Sequence, residues 1–146
     1  MASDLKSRLQ GDLNEARKQR DKFRILVLST ALAEVRNKEI ALGSDSDDET
    51  VIQVLSRGIK QRKDAAGQMR DAGRGELADV EEAQAKILAA YLPEELTESE
   101  VRELVREAVS SGIDQMGPLM GRLMPRIRGR FNGKEANRIV REELGA

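Results

Sequence analysis

The stretch Tyr91-Leu92-Pro93-Glu94-Glu95-Leu96-Thr97-Glu98-Ser99-Glu100-Val101 stops one helix and starts another. Proline pushes the residue before it out of the helical region, so a helix approaching Leu92 must end there. Thr97 with Glu100 three residues later forms a capping-box pattern, and Leu96 and Val101 occupy the flanking places of a hydrophobic staple. The polar joint between them predicts an N-terminal helical domain over residues 1–92 and a C-terminal helical domain over 93–146. A short linker of this kind is expected to permit relative motion.

Working back from the joint, Leu77, Val80, Gln84, Ile87 and Tyr91 fall at heptad-like spacing and predict one helical face. Ser46 with Glu49 matches a capping box before Val51, Val54, Leu55 and Ile59, in a helix expected to run to Ala72-Gly73. From Phe23 to Leu42 an apolar stripe through Leu26, Leu28, Ala31, Leu32 and Val35 predicts the longest and most buried helix, stopped by Gly43. Leu5, Leu9, Leu13 and Ala16 predict a first helix beginning near Ser3 or Asp4. Beyond the joint, Val101, Leu104, Val105, Ala108 and Val109 form a stripe closed by Gly112. A short helix bracketed by Pro118 and Pro125 carries Met116, Leu119, Met120, Leu123 and Met124. A last helix, entered through Asn132-Gly133, carries Ala136, Ile139, Val140 and Leu144. The expected fold class is all-α, with an N-terminal bundle of about four helices plus a small C-terminal three-helix domain. At some 50 residues the second part is marginal alone and is expected to pack against the first part or a partner.

Composition narrows the chemistry. The 146 residues include no Cys and no His, which removes thiol nucleophiles, imidazole bases and the usual zinc and haem ligands. Asp45, Asp47 and Glu49 imitate the start of a calcium loop, but Thr50 stands in place of the required Gly and Ser56 in place of the closing Glu. Gly73 and Gly75, and Gly117 and Gly121, lack the strand-loop-helix setting of a phosphate loop. No Gly/Ser-rich loop accompanies a Ser-Lys pair. No catalytic residue, metal or cofactor is therefore expected. The N-terminus carries no signal-peptide pattern, and the longest apolar run, Ile87 to Leu92, is six residues against the ~20 that span a bilayer. The expected location is the cytoplasm, with no membrane partner.

Charge, nearly balanced overall at 25 bases and 26 acids, is segregated along the chain. Arg122 to Arg141 holds seven bases and one acid, Arg57 to Arg74 six bases and two acids, and Glu76 to Glu107 ten acids and three bases. Arg126, Arg128, Arg130, Lys134, Arg138 and Arg141 thus form a candidate phosphate-binding surface, with Lys60, Arg62 and Lys63 as a second patch. Free N-H groups at the helix start after Gly129 and Gly133 would add to it. With two Phe, one Tyr and no Trp, base stacking is disfavoured, and structured RNA recognised by shape and backbone is the expected form. The alternative pairs these bases with the acidic stripe of the same molecule, leaving a protein–protein adaptor with no RNA binding.

Several short motifs carry a resemblance: Lys60-Gln61-Arg62-Lys63-Asp64, Ala72-Gly73-Arg74, Leu77-Ala78, Tyr91-Leu92-Pro93-Glu94 with Leu96, Met116-Gly117 leading to Met120-Gly121 and Leu123-Met124-Pro125, then Gly129-Arg130 and Gly133-Lys134. In their order and spacing they resemble the GatB/YqeY-domain proteins over nearly the whole chain. Phe131-Asn132 stands where that family carries a small residue and an Asp. The resemblance implies a stand-alone YqeY-like protein similar to the helical tail of the B subunit of tRNA-dependent amidotransferase, whose catalytic centres lie elsewhere. It implies a tRNA-contacting accessory role, with tRNA or a translation-related protein as partner. A family label of carbon-nitrogen ligase activity with glutamine as amido-N-donor would then apply by association.

Overall fold

The computed structural model describes residues 3–145, which form seven helices and, among the described residues, no strand. In order these are α1 (Asp4–Gln19), α2 (Lys22–Leu42), α3 (Asp48–Asp71), α4 (Gly75–Ala89), α5 (Glu98–Ser110), α6 (Met116–Ile127) and α7 (Gly133–Leu144). The chain divides into two compact units, one ending at Leu92 and the other beginning at Pro93.

In the first unit Leu9 and Leu13 of α1, Leu28 and Val35 of α2, Val51 and Leu55 of α3, and Leu88 after Ala85 on α4 close one core, with Tyr91 at its edge. The α1 start is capped by Ser3, whose side chain accepts from the Lys6 backbone N-H. Lys6 reaches both Glu39 carboxylate oxygens at 2.8 and 3.0 Å, and Ser46 donates to the same carboxylate through its N-H and its hydroxyl. These donors, the Lys6 ammonium foremost, hold the Glu39 carboxyl down at about 2. Because Ser46 is buried in that service, it does not cap α3. The cap is Asp47, which accepts from the Thr50 N-H at 2.8 Å.

Two other expectations are corrected here. The longest helix is α3, at 24 residues against 21 for α2, and Phe23, Leu26, Ile40 and Leu42 of α2 are exposed. On α4 the buried residues are Ala78, Ala85 and Leu88, whereas Leu77 and Val80 face outward. The reason is the neighbour: α4 packs most extensively on α3, where Gly58 and Ala66 are also buried, and small residues let two helix backbones approach closely.

The second unit surrounds Val101, Val105, Leu119, Leu123, Ile127, Ala136, Ile139 and Val140. Thr97 and Glu100 form the capping box at α5, both hydrogen bonds being 3.2 Å. Pro125 does not end α6, which continues to Ile127. The ring removes one hydrogen bond near the helix end, opposite Gly121. Burial of Leu119, Leu123 and Ile127 along one face, with the Arg128 N-H returning to Met124 O at 3.0 Å, carries the helix through.

Candidate nucleic-acid interface

The basic stretch begins on α6. Burying Leu119, Leu123 and Ile127 at four-residue steps leaves Arg122 and Arg126, themselves four apart, on the side toward α5. There they line a 70 Å³ cavity with Glu107 and Ser111. Arg128 is half-buried at the α6 C-cap, and Gly129 takes φ 74°, a left-handed turn that suits glycine. Arg130 follows, with a structural task. Its Nε donates to Glu94 O at 2.9 Å and its own carbonyl accepts from the Leu96 N-H at 2.8 Å, so it clamps the segment leading into α5.

At the α7 start the Asn132 side chain accepts from the N-H groups of Lys134 and Glu135 at 2.8 and 3.2 Å. These N-H groups are therefore spent on the cap, contrary to the free donors expected there. Asn132 does what an Asp would do at this position, while the neighbouring Phe131 packs against the core of the second unit. Lys134, Arg138 and Arg141 share one stripe of α7. The stripe is divided by its partners. Arg138 contacts Glu142 at 2.7 Å, Glu135 at 2.9 Å and Glu98 at 3.0 Å. Arg102 joins Glu98, Glu142 and Glu143, and Arg106 joins Glu143. Hydrogen bonds from Arg102 hold Glu98 and Glu142 below the ordinary carboxylate range, and Arg106 does the same for Glu143. Bonds to Glu135, Glu142 and Glu98 raise the Arg138 guanidinium. Arg126, Lys134 and Arg141 are exposed, and among the described residues no ion pair engages their side chains.

The second patch lies on α3. Lys60 and Lys63 are exposed, but Arg62 is half-buried, with Nη1 donating to Gly58 O at 3.1 Å and Nε to Gln84 Oε1 at 3.3 Å. It ties α3 to α4. Arg62 Nη1 would lie only 3.2 Å from a Cβ at Gly58, so the side chain folds over a position kept small. Among the described residues, five of the nine candidate bases are thus outward and without an ion pair: Arg126, Lys134, Arg141, Lys60 and Lys63.

These features define an all-helical chain in two compact units with cationic surface on each. It belongs to the YqeY-like protein family, whose model matches residues 6–144. It is similar to "Altered inheritance of mitochondria protein 41, mitochondrial" of Saccharomyces cerevisiae, 30% identical over 96 residues, 65% of this chain and 52% of the relative. The protein of that name from Lachancea thermotolerans is 32% identical over 90 residues, 61% of this chain and 48% of the relative. "Uncharacterized protein C22F3.15" of Schizosaccharomyces pombe is 33% identical over 91 residues, 62% of this chain and 74% of the relative. The matched region is about half the length of the first two relatives, and the mitochondrial location in their name is theirs. Among the described residues no helix is long and apolar enough to cross a membrane.

Proposed function

We propose that this chain is a non-catalytic accessory protein that binds structured RNA, tRNA in the first instance, through its phosphate backbone. The observation that carries the reading is the set of outward bases on α6 and α7, Arg126, Lys134 and Arg141, which remain uncommitted beside a network that consumes Arg102, Arg106 and Arg138. Lys60 and Lys63 on α3 supply a second cationic surface. Bases arranged this way neutralise phosphates without reading sequence, and the scarcity of aromatic side chains favours folded over single-stranded RNA. The likeness to the tail of the amidotransferase B subunit makes tRNA the first RNA to try.

Titration of the full chain with total tRNA at a series of salt concentrations tests this. Binding whose affinity falls steeply with salt is the expected result, since each neutralised phosphate releases counterions. No binding at low salt would refute it. A second reading, a protein adaptor without RNA, is favoured by the internal capture of Arg130 and Arg138. It predicts that result.

A further inference from the structure

A groove of about 440 Å³ opens between α1, α2 and α4, and none of its lining residues belongs to the candidate RNA surface. Tyr91, 5% exposed, sits in its wall, with its hydroxyl donating to the Asp12 carboxylate. The Arg8 guanidinium lies over the Tyr91 ring, 4.7 Å from the centroid. Burial, followed by the Asp12 hydrogen bond, pushes the phenol up to about 12. Arg24 and Lys86 line the same groove, so three cations face one acid that is already engaged with Tyr91.

The groove also has an apolar side, made of Phe23 and Ile87. Leu26 lies one turn beyond Phe23 on α2, and Val80 lies two turns before Ile87 on the same flank of α4. Phe23, Leu26 and Val80 are 38%, 56% and 45% exposed. Large apolar side chains left exposed on two of the helices that wall the groove mark an interaction surface.

We propose that this groove docks an acidic amphipathic helix of a protein partner. Apolar residues of the partner at i, i+3, i+4 and i+7 cover Phe23, Leu26, Val80 and Ile87, and its flanking carboxylates meet Arg8, Arg24 and Lys86. Charge complementarity selects the acidic partner. The apolar side selects protein over RNA, because a phosphate backbone offers nothing to cover Leu26 and Val80, and the Tyr91 ring is already faced by Arg8.

The test uses the full chain and two amidated probe peptides of about 18 residues with identical Leu and Glu content. One spaces Leu on a single helical face and the other scatters it. The first is expected to bind and to change the emission of Tyr91, the single tyrosine in a chain without tryptophan. Lys86→Glu and Leu26→Glu, both at exposed positions, are each expected to weaken that binding about tenfold with the helical circular dichroism unchanged. Equal binding of the two peptides, or full affinity in Leu26→Glu, overturns the proposal. A loss of tRNA affinity in Lys86→Glu with peptide binding intact overturns it too and assigns the groove to nucleic acid.

Discussion

In the second unit Arg102, Arg106 and Arg138 are locked among Glu98, Glu135, Glu142 and Glu143, whereas in the first unit Arg8, Lys60, Lys63 and Lys86 make no ion pair among the described residues. Yet Arg122 to Arg141 is the more basic stretch when counted along the chain. The acids that neutralise Arg138 lie within the window at Glu135, just beyond it at Glu142, or 40 residues earlier at Glu98. A charge run measures composition, and folding decides which of its members meet solvent. The remaining surface cations, not the run itself, are what an anionic partner encounters.

The largest effect comes from separating the units energetically. Ile139→Ala removes a fully buried side chain from the smaller core and is expected to cost about 3 kcal/mol. In urea part of the helical circular dichroism, that of the second unit, should then be lost first, with the near-ultraviolet signal of Tyr91 in the first unit retained. Simultaneous loss of both signals would show that the two units fold as one. Next, Glu98→Gln with Glu142→Gln leaves Arg102 with Glu143 alone and Arg138 with Glu135 alone, so both are more available to an anionic partner. Under the RNA reading, tRNA affinity at low salt should rise several-fold, roughly one added phosphate contact. Unchanged affinity would place Arg138 away from the bound RNA.

Acid pH sharpens the same comparison. Glu39 is depressed to about 2 from an ordinary 4.5, so its contribution is complete above 4.5 and is lost as pH falls toward 2. Glu98, Glu142 and Glu143 are depressed as well, with the same sign in the second unit. Lys6→Gln should therefore weaken the acid dependence of the first unit alone, which thermal midpoints followed through Tyr91 across pH 2 to 5 would reveal. At the alkaline end the effect is smallest. The Tyr91 phenol should titrate by absorbance near 12, and its stabilising share, complete below 10, should fade between 10 and 12. Asp12→Ala should lower that midpoint, because the Asp12 hydrogen bond raises it.

Helix starts at Ser3, Thr97 and Asn132 were legible in the sequence because capping acts within three residues. Ser46 misled because its partner, Glu39, lies in the preceding helix and outcompetes a local cap. Pro125 misled because burial of Ile127 outweighs one lost hydrogen bond. On α4 the spacing of the large apolar residues does not mark the buried face, because close helix pairing selects Ala78 and Ala85. At the candidate site the residue types were legible. The tasks of Arg130, Arg138 and Arg62 were not, since Glu94, Glu98 and Gln84 reach them only through the fold. The groove around Tyr91 left no local signal at all, being assembled from three helices.

The most direct measurement compares two triple variants in tRNA titrations over a salt series. Arg126→Ala, Lys134→Ala and Arg141→Ala remove uncommitted bases, and each neutralised phosphate contributes about 0.7 to 0.9 to the salt slope. Arg102→Gln, Arg106→Gln and Arg138→Gln remove as many bases from the internal network. The account predicts a slope shallower by roughly 2 for the first variant and an unchanged slope for the second. A shallower slope in the second variant with an unchanged slope in the first would contradict it.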